Sequence, residues 1–283
     1  MTQFYILGDM GSGSKSQKEV SKAMNKHIRE NINGDKTFVC GLGDNIYDCG
    51  CDSVNDPQFK TKFEIPYSNI SDNIKFYMCL GNHDYGYDDY GDAMTQVEYG
   101  RLSQKNGKKW FMPDKYYTFK KGDIEFFVLD TNFDEPNYND NMYEQLNYFK
   151  SKIKNSKAKW KIVYGHHTWR SIGGHGDADE KLENFLSELL KHVDFDMYMC
   201  GHDHNKQLIN LKMHDKNVHI IVCGTGGKVY DDISNYNSLN KDSDLMFSSN
   251  NLGYGYLVHK KDKLYLYFYN EKNEIEYMYV VTK

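Results

Sequence analysis

The chain has 283 residues and a formal net charge of −5, with its lysines spread along the sequence. Because no basic block is present, we expect no nucleic-acid partner. No run approaches the roughly 20 consecutive apolar residues of a membrane-spanning helix, so we also expect no membrane insertion. A hydrophobic content of 39% is enough for a globular core. We therefore expect a soluble monomer with a single domain over residues 1–283.

The N-terminus passes from Met1 almost directly into an apolar, strand-like run, without the charged and apolar regions of a signal peptide. We therefore expect a cytoplasmic protein, or a secreted one only if the sequence is a mature form. Four of the six cysteines close apolar runs, and Cys49 and Cys51 have no second cysteine pair nearby to complete a zinc site. We expect all six to be free thiols.

Strand-like runs alternate with amphipathic helical patterns over the first two thirds of the chain, as in strand-helix-strand units. Strands are predicted at 4–7, 37–40, 75–80, 124–130, 159–164 and 197–200. Helices are predicted within 20–32, 142–153 and 182–193, where apolar residues recur at helical spacing. The remainder, from His219 onward, has the pattern of strands and turns. These elements predict an α/β fold of two packed β-sheets flanked by helices.

Five of the predicted strands run into a glycine that is followed by potential metal ligands. These junctions are Gly8-Asp9-Met10-Gly11, Gly43-Asp44-Asn45-Ile46-Tyr47, Gly81-Asn82-His83-Asp84, Gly165-His166-His167 and Gly201-His202-Asp203-His204. The carboxyl ends of strands are where α/β sheets build their sites, so we expect these side chains at one sheet edge. Burying them together is costly unless cations balance the charge. The mixed nitrogen and oxygen donors suit iron, zinc or manganese rather than calcium.

In chain order, Gly-Asp-x-Gly, Gly-Asp-x-x-Tyr, Gly-Asn-His, Val-x-x-His and Gly-His-x-His resemble the metallophosphoesterase motifs in their purple acid phosphatase form. The common metallophosphoesterase pattern begins Asp-x-His, whereas here Gly11 occupies the histidine position and Tyr47 can replace that ligand. The sequence is similar to the small, mammalian-type tartrate-resistant acid phosphatases over nearly the whole chain. It departs from them at His167 and Thr168, where that family usually has Tyr-Pro.

This resemblance implies a four-layer αββα sandwich of two mixed β-sheets, with a binuclear metal centre. The implied ligands of a first, Fe³⁺ site are Asp9, Asp44, Tyr47 and His204. A second site for Fe²⁺, Zn²⁺ or Mn²⁺ would share Asp44 as the bridge and add Asn82, His166 and His202. His83 and His175 match the family histidines that face the phosphate.

The resemblance also implies an acid phosphatase that hydrolyses phosphate monoesters with a metal-bound hydroxide. The substrate would be a small molecule, a nucleotide or a phosphoprotein, and His175 would protonate the leaving group. The acidic loop at 132–141 is expected to overhang the site and restrain activity. Two alternatives stay open: a phosphodiesterase or nucleotide hydrolase of the same superfamily, and a catalytically silent binding or scaffold protein on this fold.

Two glycine-rich segments need a separate interpretation. Residues 8–16 follow a strand and precede a helix, but Ser14 stands where a P-loop requires lysine, so the serines are expected to cap the helix instead. The run Gly224-Thr225-Gly226-Gly227 is compatible either with a tight turn or with a close approach to a ligand.

Overall fold

In a computed structural model of the protein, the described residues are 1–87, 90–136, 138, 140–230 and 239–283. They form two seven-stranded mixed sheets, packed face to face, with helices on the outer faces. The predicted α/β architecture of two packed sheets flanked by helices is therefore confirmed.

The first sheet has the order β14-β13-β12-β1-β2-β3-β4. Its strands are β1 (Thr2–Leu7), β2 (Thr37–Gly41), β3 (Phe76–Met78), β4 (Trp110–Phe111), β12 (Gly253–Lys260), β13 (Lys263–Asn270) and β14 (Ile275–Thr282). Strands β1 to β4 are parallel, and the C-terminal strands β12 to β14 extend the sheet as an antiparallel meander.

The second sheet has the order β11-β9-β10-β8-β7-β6-β5. Its strands are β5 (Tyr117–Lys121), β6 (Ile124–Val128), β7 (Trp160–Tyr164), β8 (Met197–Cys200), β9 (Lys206–Met213), β10 (Lys216–Cys223) and β11 (Ser243–Ser249). The four central strands β10, β8, β7 and β6 are parallel, so their carboxyl ends lie at one edge of this sheet.

Each long helix begins at a side chain that caps its first turn. The helices are α1 (Lys15–Asn31), α2 (Pro57–Phe59, continued by a π-helical turn, Lys60–Glu64), α3 (Ala93–Lys105), α4 (Met142–Asn155) and α5 (Glu180–His192). Short 3₁₀ turns occupy Gly34–Lys36 and Asn82–Tyr85. The Ser14 hydroxyl accepts the Gln17 amide at 3.2 Å, which confirms the predicted serine cap of α1.

Aromatic side chains fill the space between the two sheets. Phe4 of β1 meets Phe126 of β6 edge to face, with ring centroids 5.1 Å apart, and Tyr77 stacks on Phe119 at 3.8 Å. The Tyr164 hydroxyl crosses from β7 and donates to the Tyr77 carbonyl at 2.9 Å. The sheets are thus held in a fixed relation, which aligns their carboxyl edges.

All six predicted strands are present, but β3 and β6 each end two residues earlier than expected. Residues 79–80 and 129–130 belong to the segments that follow β3 and β6, although the Cys79 and Leu129 amides still donate to Gly41 and Tyr164 of the neighbouring strands. Helix α3 has no counterpart in the sequence prediction. Its buried positions include Thr95, Gln96, Gly100 and Ser103, so it lacks the apolar stripe on which that prediction depends.

Two further observations concern the cysteines and the helices. All six cysteines are free thiols, as expected, and five of them are buried. Across the described part of the chain, no helix is both long enough and apolar enough to cross a membrane.

Candidate metal centre

The predicted ligands come from loops at the carboxyl ends of five strands, and these loops meet where the two sheets pack. Strands β1, β2 and β3 belong to the first sheet, whereas β7 and β8 belong to the second. The expectation of one sheet edge was therefore wrong, because the site lies between two. The face-to-face packing of the two sheets brings these five loops together.

Three of the predicted ligands adopt a backbone conformation that non-glycine residues seldom use. The φ angles of Asp9, Asp44 and His202 are 56°, 50° and 67°. Glycines make room for them: a Cβ atom on Gly81 would stand 2.2 Å from Asp44 Oδ1, and one on Gly201 would stand 2.4 Å from Asp9 Oδ2. Strained backbone of this kind, held by its surroundings, is typical of functional sites.

The first group of predicted ligands comprises Asp9, Tyr47 and His204. The Tyr47 hydroxyl lies 3.0 Å from both Asp9 Oδ1 and His204 Nε2, and His204 Nε2 lies 3.3 Å from the same carboxylate oxygen. Burial raises the pKa of Tyr47, and the negative charges of Asp9 and Asp44 raise it further. A phenolate at this position therefore requires a strong positive charge beside it.

The second group comprises Asp44, Asn82, His166 and His202. His166 Nε2 lies 3.3 Å from Asp44 Oδ1, 3.1 Å from Asn82 Oδ1 and 3.2 Å from His202 Nδ1. Ligand atoms of Asp9, Asp44 and His166 all lie within 4.8 Å of one another, so the two groups are contiguous. The structure thus brings all of the predicted metal ligands together.

The hydrogen bonds of His166 test whether this cluster suits a cation. His166 Nδ1 lies 2.8 Å from the Leu42 carbonyl oxygen, which can only accept, so Nδ1 carries a proton. In the neutral ring the Nε2 lone pair then faces the oxygen lone pairs of Asp44 and Asn82. Such an arrangement is favourable only when a proton or a cation lies between them, so the donor set fits a bound metal ion.

The charges of the pair formed by Asp44 and His166 agree with this geometry. Burial opposes the Asp44 charge, but the imidazoles of His166 and His83 outweigh it and hold the pKa of Asp44 well below its usual range. Burial likewise opposes a charged His166, yet the Asp44 carboxylate raises the pKa of His166 to about 10. Both pKa shifts reflect the same attraction between the Asp44 carboxylate and a positive charge beside it.

The two histidines predicted to face the phosphate contact different predicted ligands. The His83 amide donates to Asp44 Oδ1 at 3.1 Å, and its Nε2 lies 3.9 Å from Asp44 Oδ2. The His175 ring lies against the ring of His202, with a centroid distance of 3.9 Å. The backbone amide of His175 donates to Asp203 Oδ1 at 2.9 Å, which holds its loop against the loop that carries His202.

Several residues that the sequence interpretation did not select also contact the site. Tyr230 stacks on His204 at 4.4 Å between centroids, and the Lys228 ammonium lies 4.6 Å from the centroid of the Tyr230 ring. An exposed aromatic residue after a glycine run gave no signal in the sequence.

The buried carboxylate of Asp84 also contacts the site. It accepts the backbone amides of Asn45, Ile46 and Gly81, which joins two ligand loops. The sequence feature that could have identified Asp84 is its position directly after His83 of the Gly-Asn-His motif.

The glycine run 224–227 packs closely against the loop that carries Asp9. A Cβ atom on Gly224 would stand 2.6 Å from Asp9 Oδ2, and one on Gly227 would stand 3.0 Å from the Asp9 carbonyl oxygen. The run also turns, since the Gly226 amide donates to the Gly8 carbonyl at 3.1 Å. Its small residues let the backbone pack directly against the loop of Asp9.

Comparison with known proteins agrees with this combination of fold and site. The sequence matches the calcineurin-like phosphoesterase family over residues 2–206, so the chain belongs to this family. Purple acid phosphatase 17 of Arabidopsis thaliana is 35% identical, in an alignment that covers 80% of this chain and 69% of that protein. Tartrate-resistant acid phosphatase type 5 of Rattus norvegicus is 28% identical, with 79% and 72% covered. Within the family, the chain therefore belongs with the purple acid phosphatases, which are phosphoesterase-type hydrolases.

Two solved structures share the fold over 99% of this chain. GAP50, described as the anchor in the inner membrane complex of Plasmodium, has a TM-score of 0.80 at 24% identity, with 88% of that chain covered. The purple acid phosphatase PPD1 from yellow lupin (Lupinus luteus) seeds has a TM-score of 0.75 at 18% identity, with 53% covered. At these identities the likenesses show the fold alone.

Proposed function

We propose that the protein is an acid phosphatase that hydrolyses phosphate monoesters at a two-metal centre. The observation that carries this proposal is the convergence of seven donor side chains from five strand ends, with the lone pairs of His166 and Asp44 facing each other. The related purple acid phosphatases indicate which reaction such a centre would catalyse.

The two groups of ligands divide between the metals by donor type. Asp9, Tyr47 and His204, with Asp44, would hold Fe³⁺, because carboxylate and phenolate oxygens favour a hard, highly charged ion. Asn82, His166 and His202, with Asp44, would hold Fe²⁺, Zn²⁺ or Mn²⁺. When bound, such a pair activates water for attack and balances the charge that develops on the phosphoryl group.

The chain's own histidines would complete the reaction. His83 Nδ1 lies 2.5 Å from the Asp48 carbonyl oxygen and therefore donates to it, which fixes the orientation of the ring beside Asp44. The substrate would be a phosphate monoester of a small molecule, nucleotide or phosphoprotein. His175, whose ring lies against that of His202, would donate a proton to the leaving oxygen.

The test combines elemental analysis with two assays on the purified protein. We expect close to two metal ions per chain, at least one of them iron, and faster turnover of p-nitrophenyl phosphate than of bis-p-nitrophenyl phosphate. Preferred turnover of the diester would support the phosphodiesterase alternative instead. A single zinc ion, or full activity in metal-free protein, would contradict the proposal.

Asp44→Asn provides the sharpest variant for this test, because Asp44 alone would contact both metals. We expect both metals to be depleted and turnover to fall by at least about a hundredfold, as for the loss of a major electrostatic stabiliser. The matched control is Asp244→Asn, an exposed aspartate on β11 whose carboxylate pairs with Lys212. Its metal content and turnover should be those of the unmodified chain.

A second candidate function is a catalytically silent anchor or scaffold, which the fold likeness to GAP50 favours. The full donor set in this chain argues against it. Turnover of the two esters distinguishes the two candidate functions, because a silent protein would hydrolyse neither ester even after it is loaded with iron and zinc.

A further inference from the structure

His167 is the one imidazole at the centre that the proposed function leaves without a role. It follows the predicted ligand His166 and stands where the related phosphatases usually have tyrosine. Its ring lies 5.1 Å from the His166 ring and 4.6 Å from the His202 ring, measured between centroids. It is therefore a neighbour of the second predicted metal position.

The hydrogen bonds of Thr131 determine which nitrogen of His167 carries the proton. Thr131 Oγ1 accepts the backbone amides of His166 and His167, each at 3.2 Å, and these two bonds use both of its lone pairs. The same oxygen lies 2.9 Å from His167 Nδ1. Its single hydroxyl proton must therefore be donated to Nδ1, which places the ring proton of His167 on Nε2.

The position of this ring is fixed before any ligand binds. The Tyr198 hydroxyl donates to the His167 carbonyl at 2.7 Å, so the backbone is held on both sides, and Thr131 holds the side chain. Among the described residues, His167 Nε2 has no hydrogen-bond partner, and the side chain stays partly exposed. An oriented N–H donor is thus available beside His166 and His202.

We propose that His167 is a substrate-binding residue that donates its Nε2–H to an oxygen of the phosphoryl group. This inference rests on the proposed function, because it requires a phosphate at the centre. A monoester offers three terminal phosphoryl oxygens and a diester only two. An extra donor beside a metal pair therefore strengthens binding of monoesters more than binding of diesters, and His167 contributes to the choice between them.

The test uses the metal-loaded protein and inorganic phosphate as the probe. His167→Phe keeps an aromatic ring but removes the donor, and His167→Gln keeps a side-chain N–H. We expect His167→Phe to weaken phosphate binding by about tenfold, the usual worth of a hydrogen bond to a charged group. Calorimetric titration measures this affinity, and His167→Gln should recover most of it.

Steady-state kinetics on both esters provide a second measurement. For His167→Phe, KM for p-nitrophenyl phosphate should rise by a similar factor while kcat changes little, and KM for the diester should stay close to that of the unmodified chain. The matched control is His192→Phe at the exposed end of α5, where the imidazole pairs with Glu188. That variant should change neither affinity nor either KM.

The possible results distinguish a failure of this inference from a failure of the proposed function on which it rests. Unchanged phosphate affinity in His167→Phe contradicts the inference, as does a loss of metal, which would make His167 a support for the metal instead. An affinity that His167→Gln fails to restore also contradicts it. Phosphate binding without turnover in the unmodified chain contradicts the proposed function but leaves the role of His167 to be judged by titration.

Discussion

At the scale of single residues, the centre depends on side chains whose positions are set by strained or crowded backbone. Asp9, Asp44 and His202 at positive φ each cost about 1–3 kcal/mol of folding free energy. Asp84 and Asp203 keep the surrounding loops together through hydrogen bonds to backbone amides. The cost is offset elsewhere in the fold, and a metal that binds only the folded chain stabilises it further.

Tyr47 tests the assignment of the ferric site. Its phenolate on Fe³⁺ should give a charge-transfer band, so the loaded protein should be pink or purple. Tyr47→Phe should remove this visible band and leave the fold intact by circular dichroism. Tyr230→Phe is the control, because Tyr230 also contacts His204 but only through its ring face. A Tyr47→Phe variant with an unchanged visible spectrum would refute the assignment.

His175 tests the assignment of the general acid. His175→Ala should slow the hydrolysis of alkyl phosphates by about 10²- to 10⁴-fold, since an alkoxide leaves poorly without a proton. It should affect p-nitrophenyl phosphate far less, because that leaving group needs little protonation. Comparing kcat for the two substrates measures the difference. His214→Ala, at an exposed turn, is the control.

Equal losses on both substrates would assign His175 a binding role instead and leave His83 as the better candidate for the acid.

At the scale of elements, the loop at 132–141 is the segment expected to restrain activity. Its residues 137 and 139 lie outside the described part of the structure. Within the described part, burial raises the pKa of Glu135, and the Asp44 carboxylate raises it further, while His83 and His166 act in the opposite direction. The Glu135 carboxyl group therefore interacts electrostatically with Asp44, His83 and His166 of the candidate centre.

Glu135→Gln removes a negative charge that repels a phosphate dianion. We expect KM for p-nitrophenyl phosphate to fall by roughly threefold at low ionic strength, and the difference to shrink as salt is added. Glu144→Gln, in the exposed first turn of α4, is the control. If KM and its salt dependence stay the same in Glu135→Gln, the restraint does not act through this charge.

Helix α3 shows where prediction from apolar periodicity fails. The apolar stripes of α1, α4 and α5 identified these helices, because each packs one face on a sheet. Helix α3 buries small and polar residues, and Gln96 donates to the Asp84 carboxylate at 2.7 Å. Its burial serves the hydrogen-bond network of the site, for which no periodic pattern exists.

At the scale of the whole molecule, a buried ion pair joins the two sheets. Lys206 of β9 has a fully buried side chain, and its ammonium contacts the Glu276 carboxylate of β14. The same ammonium donates to the Tyr269 carbonyl at 3.1 Å. Because Lys206 lies two residues after His204, this contact also anchors the strand that follows the ligand loop.

Glu276→Gln should destabilise the fold by about 3 kcal/mol at pH 7, because it leaves the Lys206 charge buried without its partner. Burial favours the protonated form of Glu276, but the Lys206 ammonium outweighs it and lowers the pKa of Glu276. As the pH falls, the unfolded chain is protonated first, so the stabilisation persists down to about pH 4 and is lost below it.

Denaturant unfolding of both chains across this pH range measures the difference. The control is Glu274→Gln, whose carboxylate contacts the exposed Asn270 amide. A difference between Glu276→Gln and the unmodified chain that persists unchanged at pH 3 would contradict the assignment to this ion pair.

The sequence by itself determined the family and the α/β class, and it predicted which side chains would serve as metal ligands. Strand periodicity and the glycine at each strand end are local properties, and the motifs preserve ligand types that the chemistry requires. The structure brings these predicted ligands together between the two sheets.

Only the tertiary structure decided that two sheet edges, rather than one, build the site. It also decided that Gly224 approaches Asp9, that Tyr230 covers His204 and that Thr131 orients His167. These contacts join residues that are 26 to more than 200 positions apart in the chain. Their geometry depends on how the two sheets pack, and side-chain packing between distant segments leaves no periodic signal in either segment alone.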